Sequence, residues 1–122
     1  YKLTVVTVRT TSRFVFDAVS YLRSSRGMEL VEASPSGVRK AIQALRRGEV
    51  AVLVSDRDFF YSGRPVRFFA RETTIPVGIA RIARETGAPI VSIFGQRTDE
   101  GYVLTIEPGF IVPKTAEMDR DI

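Results

Sequence analysis

The sequence contains no cysteine, no histidine and no tryptophan among its 122 residues. Without cysteine the chain has no disulfide bond, no thiolate nucleophile and no zinc site built on cysteine ligands. Without histidine it lacks the usual general base near neutral pH, so these residues alone cannot build a serine triad or a histidine-ligated metal site. The composition therefore excludes a disulfide-stabilised secreted scaffold, and we expect neither a metal nor a cofactor.

Long apolar runs are also missing. The longest, such as residues 50–54, are far shorter than the roughly 20 residues that a membrane-spanning helix needs. No signal peptide is recognisable at the start. We therefore expect any membrane contact of this segment to be peripheral. Because the sequence starts at Tyr1 rather than Met, we also expect it to be part of a longer product.

The charge balance is mildly basic, with 18 Lys and Arg against 14 Asp and Glu, a net charge of +4. With 44% hydrophobic residues, the chain differs from a charged disordered tail, which combines low hydrophobicity with high net charge. A chain of this length can bury one modest core. The sequence therefore predicts a single domain over residues 1–122.

Strand-like and helix-like segments alternate along the chain. Residues 50–54 are apolar at every position, which predicts a strand covered on both faces. The alternation predicts an α/β fold with a mixed, largely parallel central sheet and helices on both faces. The predicted order is strand 3–8, a helix from Ser12 to Ser25 stopped by Gly27, strand 28–33, a helix opened by Ser34-Pro35 and ended by Gly48, strand 50–54, strand 66–69, a helix opened by Pro76 and stopped by Gly87, and strands 89–94 and 102–106.

An acidic motif follows the apolar strand 50–54, where Asp56 and Asp58 flank Arg57. Ligands of open α/β sheets bind beyond the carboxyl ends of the strands. Two carboxylates beside a cation can divide their roles, one staying ionised while the other orients a base. Alternatively, both carboxylates cap the loop and pair with Arg57 or Arg64, and the spacing leaves both interpretations open.

Aromatic and basic residues follow this motif. The aromatic run 59–61 could cover a pocket, grip a lipid chain, insert at a bilayer interface or fold back onto the core. The downstream cations are all arginines, which suit phosphate recognition, although a solvated basic face would look the same. No helix-turn-helix, RNP or GXXG pattern is present, so we expect an anionic small molecule or lipid headgroup rather than nucleic acid. The arginines are Arg57, Arg64, Arg67, Arg71, Arg81 and Arg84.

Two threonines, Thr73 and Thr74, precede the helix that Pro76 is predicted to open. Free amide groups at a helix start bind anions, and two hydroxyls would add further donors. The alternative is that Thr74 simply caps the helix.

Taken in order, four segments resemble one enzyme family: GEVAVLVSDRD at 48–58, GRPVRFF at 63–69, TTIPVGIARIARETGA at 73–88, and the strand at 102–108. The resemblance is to the bacterial lipid A biosynthesis (lauroyl/myristoyl) acyltransferase family, which includes the phosphatidylinositol mannoside acyltransferases. It implies transfer of a fatty acyl group from acyl-CoA or acyl carrier protein to a glycolipid or phospholipid hydroxyl. It also implies a peripheral location at the cytoplasmic face of the cell membrane.

The family uses a His-x4-Asp/Glu motif whose histidine deprotonates the acceptor hydroxyl, and this chain has no histidine. That motif normally precedes the segments seen here. The resemblance therefore implies that it lies upstream of Tyr1 or is missing altogether, and a fragment that lacks it is the simpler interpretation. On this interpretation the chain is the distal part of a catalytic domain and is inactive by itself.

The resemblance also implies roles for single residues. Asp56 matches the acidic position that lies against the catalytic histidine in the family and would orient its imidazole. Asp58 and Arg57 match adjacent positions that hold the loop or contact substrate. Family members often have F-F-G where this chain has Phe68-Phe69-Ala70, and P-x-G-P-A at 76–80, where this chain reads PVGIA. The residues assigned to catalysis are Asp56 and Asp58, and those assigned to substrate binding are Arg9, Arg23, Arg57, Gly63, Arg64, Arg67, Phe69, Thr73 and Thr74.

Two alternatives remain at this point. The chain could be a non-enzymatic relative that keeps the fold and binds anionic lipid or a protein partner. It could also be a basic nucleic-acid binder, whose affinity would fall steeply with salt.

Overall fold

The computed structural model describes residues 1–8, 12–55, 58 and 63–117. The chain divides into two compact units, Tyr1–Pro76 and Val77–Ile122. The single domain over residues 1–122 was predicted from the chain length, and it stays a prediction alongside these two units. The elements are β1 (Leu3–Thr7), α1 (Arg13–Ser24), β2 (Met28–Glu32), α2 (Pro35–Arg46), β3 (Val50–Leu53), β4 (Arg64–Phe68), β5 (Arg71–Ile75), α3 (Gly78–Thr86), β6 (Ile93–Thr98) and β7 (Gly101–Ile106).

The first unit contains a three-stranded parallel sheet in the order β2-β1-β3. Leu3 of β1 lies opposite Met28 on one side and opposite Val50 on the other. The chain therefore passes from β1 through α1 to β2 on one side of β1, and from β2 through α2 to β3 on the other side. Because such crossovers are right-handed, the two helices cover opposite faces of the sheet. The predicted α/β class is confirmed, although the strands after β3 form separate antiparallel hairpins.

The core of this unit is centred on β1. Thr4 is 2% exposed and Val5 is 8% exposed, so consecutive residues that point to opposite faces are both buried. On α2, Ala41 and Ala44 are fully buried. These small side chains let the helix backbone approach the sheet closely, and α2 contacts all three strands.

The strand predicted to be covered on both faces is partly exposed on one of them. Val50 is 40% exposed and Val52 is 39% exposed. Both lie on the same face of the sheet as Leu3 and Val5, which is the face on which α1 lies. Helix α1 packs on β2, however, and β2 is on the other side of β1 from β3. The prediction was wrong because β3 is an edge strand of the described sheet, and the central position belongs to β1.

Two serines cap α1 and α2, whereas no described side chain caps α3. The Ser12 hydroxyl accepts a hydrogen bond from the Val15 amide at 3.5 Å, and the Ser34 hydroxyl accepts one from the Gly37 amide at 3.2 Å. Pro35 occupies the start of α2. These side chains satisfy amides that have no partner within the helix. The predicted stops Gly27, Gly48 and Gly87 adopt positive φ angles of 78°, 76° and 73°.

The connection from α2 to β3 carries an ion pair. Arg47 donates through Nε and Nη2 to the two carboxylate oxygens of Glu49, both at 2.9 Å. This bidentate contact lowers the pKa of Glu49 and raises that of Arg47, because the hydrogen bonds favour both charged forms.

An antiparallel hairpin follows β3 in the sequence. The predicted strand 66–69 is β4, shifted to begin at Arg64, and it pairs with β5. Thr73 and Thr74 lie within β5, opposite Val66 and Pro65, so the prediction that they stand at a helix start was wrong. The β-branched run Thr73–Ile75 favours an extended conformation, which cross-strand pairing with β4 completes.

The turn of this hairpin has an unusual conformation. Phe69 and Ala70 connect the strands with φ angles of 47° and 60°. Two-residue hairpin turns with positive φ at both positions favour Asn and Gly. A residue with a Cβ atom is strained in this region by roughly 1–2 kcal/mol. The turn therefore stores strain.

We expect Ala70→Gly to stabilise the chain by about 0.5–1 kcal/mol, because glycine removes the Cβ strain but loses more entropy on folding. Urea unfolding followed by circular dichroism measures the change. Ala80→Gly in α3 is the matched control and should destabilise by a similar amount, since glycine is unfavourable inside helices. Equal destabilisation by both variants would show that residue 70 does not need a left-handed backbone.

The second unit consists of α3 and the hairpin β6–β7. Its helix begins at Gly78, two residues after the predicted start at Pro76, and ends at Gly87 as predicted. Strand β6 starts at Ile93, later than predicted, while Ile90 forms an isolated bridge with Phe110. The buried residues of the second unit are Val77, Ile82, Ala83 and Val112. Within the described ranges, none of the helices has the length and apolar character needed to cross a bilayer.

Candidate functional site

The parallel sheet has a switch point between β1 and β3. These strands are neighbours, with Val6 opposite Leu53, so their carboxyl ends lie side by side. The chain leaves β1 towards β2 on one side, whereas β3 lies on the other. The crevice outside such a reversal is the usual ligand position in open α/β sheets. The candidate site therefore lies beyond Val8 and Ser55.

Several predicted site residues follow these two strand ends directly in the sequence. Arg9 comes after Val8, and Asp56 and Arg57 come after Ser55. Arg9, Asp56, Arg57 and the aromatic run 59–61 lie outside the described residues. The carboxyl ends of β1 and β3, after which these residues follow in the sequence, lie side by side at one edge of the sheet. The roles of these residues stay predictions.

Asp58 is fixed by a backbone contact. Its Oδ2 accepts a hydrogen bond from the Gly63 amide at 2.8 Å, and the residue is half-buried. This bond joins Asp58 to the residue that precedes β4, at the base of the β4–β5 hairpin. The geometry favours Asp58 as a residue that holds the loop, while its assignment to catalysis stays a prediction.

Gly63 lies in a very close backbone contact. A Cβ atom there would lie 2.6 Å from the Ile75 carbonyl oxygen and 2.7 Å from Asp58 Oδ2. Real Cβ atoms do not approach backbone oxygens this closely. Glycine is therefore required by the protein's own backbone, whether or not a substrate also contacts it.

The β4–β5 hairpin carries most of the remaining predicted residues. Arg64 is half-buried and lies opposite Ile75, whereas Arg67 is exposed and lies opposite Glu72. Because side chains alternate along a strand, Arg64 and Arg67 project from opposite faces of the hairpin. Phe69 lies at the turn. The hairpin therefore gathers Arg64, Arg67, Phe69, Thr73 and Thr74 on one element.

A cavity of about 230 Å³ lies between α1 and the sheet. The predicted residue Arg23, in the last turn of α1, lines it together with Thr7 of β1. The remaining lining residues are mainly apolar: Val15, Phe16, Val19, Ser20 and Leu30. Arg23 and the carboxyl end of β1 therefore share one cavity, which sequence spacing alone did not reveal.

Ser20 is the residue in this cavity that the sequence did not single out. Its hydroxyl oxygen is buried and has no hydrogen-bond partner in the part of the chain that the structure describes. The signal available in the sequence was its position, four residues after Phe16 and three before Arg23, which places all three on one helical face.

The described residues supply cations and a structural carboxylate, but they do not form a metal centre. Among residues 1–8, 12–55, 58 and 63–117, no group of three acidic side chains could hold a metal ion. The chain also has no histidine to act as a base. The described part therefore offers cationic side chains to anionic groups, and no histidine among these 122 residues is available for proton transfer.

Two comparisons with known proteins bear on this arrangement. Residues 1–121 match the family described as bacterial lipid A biosynthesis acyltransferase. Phosphatidylinositol mannoside acyltransferases from two Mycobacterium tuberculosis strains, CDC 1551/Oshkosh and ATCC 25618/H37Rv, are each 37% identical to it over 73 residues. That match covers 57% of this chain and 23% of either relative, so the chain spans about a quarter of their length. Because the family match extends over nearly every residue, the chain belongs to the bacterial lipid A biosynthesis acyltransferase family.

Proposed function

We propose that this chain forms part of an O-acyltransferase. The enzyme would transfer a fatty acyl group from acyl-CoA or acyl carrier protein to a glycolipid or phospholipid hydroxyl at the cytoplasmic face of the membrane. The observation that carries the proposal is the family match over residues 1–121. The names of the two mycobacterial relatives support a glycolipid acceptor. The switch point between β1 and β3 supports a ligand site at the strand ends.

The reaction needs a base, an oriented hydroxyl and stabilisation of an oxyanion. The acceptor oxygen attacks the thioester carbonyl while the base removes its proton, and the tetrahedral intermediate then expels the thiolate. Since this chain has no histidine, the imidazole would come from protein outside these 122 residues. Asp56, which follows β3 in the sequence, would orient that imidazole and stabilise its protonated form.

The cations would bind the anionic parts of the substrates. Guanidinium groups pair with phosphates through two parallel hydrogen bonds, a geometry that lysine cannot match. For this role we propose Arg64, half-buried at the base of the hairpin, and Arg23, which lines the cavity below α1. Two of the other predicted cations, Arg9 and Arg57, follow the two strand ends in the sequence, and the third, Arg67, lies on β4.

The test is an acyl-transfer assay of the full-length protein with acyl-CoA and acyl carrier protein donors. We expect transfer by the full-length protein and no turnover by the 122-residue chain alone, because the chain has no histidine. Thioester hydrolysis or acyl transfer by the isolated chain would contradict the proposal. So would a full-length protein that contains no His followed five positions later by Asp or Glu, which would support a binding module.

A further inference from the structure

The tip of the β4–β5 hairpin presents an exposed aromatic pair. Phe68 is 59% exposed and Phe69 is 88% exposed. The two rings meet edge to face, with centroids 4.6 Å apart and an interplanar angle of 84°, so they form one apolar unit. Exposed apolar patches rimmed by polar residues are typical of interaction surfaces.

The backbone at this tip adopts a left-handed conformation. Phe69 has a φ angle of 47°, which is an outlier for a bulky side chain. Asn or Gly at the same position would relieve that strain. Strain at a position where a better residue exists points to a role for the side chain other than stability.

Two arginines flank the aromatic pair. Arg67 precedes Phe68 on β4, and Arg71 follows the turn on β5, directly opposite Phe68. Glu72 lies opposite Arg67, so the segment 67–72 carries two cations and one anion. Aromatic rings at a tip with guanidinium groups just behind them match a bilayer interface, where rings lie at headgroup level and cations contact lipid phosphates.

The base of the hairpin is held in place. The Gly63 amide is bound by Asp58, and Gly63 packs against the Ile75 carbonyl oxygen at the end of β5. A hairpin fixed at its base loses little conformational freedom when its tip binds a surface. The structure therefore presents the tip as a preformed element.

We propose that this aromatic tip, residues 67–71, docks on the surface of an anionic phospholipid bilayer. The rings of Phe68 and Phe69 insert at the interface, while Arg67 and Arg71 contact lipid phosphates. The inference rests on the proposed function, since it identifies the element that would bring the enzyme to its lipid acceptor. Docking itself needs no acyl donor.

The absence of tryptophan allows a direct test. Phe69→Trp places the only tryptophan of this 122-residue chain at the tip. With vesicles containing phosphatidylglycerol, we expect its emission to shift to shorter wavelength and to be quenched by lipids brominated on their acyl chains. Phe68→Trp is the second variant, for the case that tryptophan at position 69 prevents folding, and circular dichroism checks folding of each variant.

The matched control is Tyr102→Trp near the turn of the β6–β7 hairpin. Tyr102 is 79% exposed, but the adjacent turn residues Asp99 and Glu100 are acidic. We expect no change in its emission with the same vesicles. A shift equal to that of Phe69→Trp would show non-specific adsorption and overturn the proposal.

The charge dependence is tested in the Phe69→Trp background. Replacing Arg67 and Arg71 with glutamine should weaken partitioning to anionic vesicles by about five-fold per arginine. Raising the salt concentration should weaken the binding of the parent variant as well. Partitioning that is independent of both arginines and of salt would contradict the proposal.

Three further outcomes would overturn the proposal. The first is a folded Phe69→Trp variant that gives no emission shift with vesicles. The second is emission that is already blue-shifted without lipid, because the tip packs on protein. The third is a full response to a monomeric short-chain phospholipid. Vesicle docking by a protein that transfers no acyl group would reject only the proposed function. Acyl transfer without docking at the tip would reject only this inference.

Discussion

Replacing Gly37 with alanine is expected to destabilise the chain by about 3 kcal/mol or more, one of the largest effects that a single methyl group can have. A Cβ atom at this position would lie 1.8 Å from the carbonyl oxygen of Glu32 and 3.0 Å from its carbonyl carbon. These are backbone atoms at the end of β2, separated from α2 by only Ala33 and Ser34. The first turn of α2 would have to move away from the sheet.

The movement would also weaken the helix start, because the Gly37 amide donates to the Ser34 hydroxyl. We expect the melting temperature to fall by about 10 °C, measured by circular dichroism. Gly78→Ala in the first turn of α3 is the matched control, because its Cβ would meet no described atom within 4 Å. That variant should gain about 0.5–1 kcal/mol. Equal stability of the two variants would mean that α2 does not approach β2 as closely as described.

On the proposed function, Asp56→Ala in the full-length protein is expected to lower the kcat of acyl transfer by about 10³-fold or more, by analogy with the orienting aspartate of a catalytic triad. Without its carboxylate, the imidazole would lose both its orientation and the stabilisation of its protonated form. The measurement is the initial rate of acyl transfer with donor and acceptor at saturation.

Asp58→Ala is the matched variant, two residues away. Its carboxylate binds the Gly63 amide, so we expect about a ten-fold loss of rate together with a lower melting temperature, because a part-buried amide loses its partner. Small and equal losses of rate in the two variants would return Asp56 to a structural role.

Helix boundaries were the part of the fold most accessible from the sequence. Ser12, Ser34 and Gly87 act on backbone groups within a few residues of themselves, so their effect does not depend on the rest of the fold. The start of α3 was misplaced by two residues. Val77, which precedes it, has no side-chain hydrogen-bonding atom, so no capping signal marked the boundary.

The hairpin turn explains one departure from the family pattern. Where relatives often have glycine, this chain has Ala70, and the structure gives that residue a φ angle of 60°. Glycine suits this conformation because it has no Cβ atom. The sequence alone showed the substitution, but its energetic cost depends on the turn type, which the pairing of β4 with β5 decides.

For the candidate site, too, the sequence determined some features and the tertiary structure decided others. The sequence by itself determined the α/β class, the absence of a histidine base and the position of an acidic motif after an apolar strand, since these follow from composition and local order. Only the tertiary structure decided that β1 is central, that Val50 and Val52 are exposed, and that the ends of β1 and β3 meet at one edge. Strand order depends on pairing between residues far apart in the chain, and an apolar run such as 50–54 carries no information about which neighbour it will have.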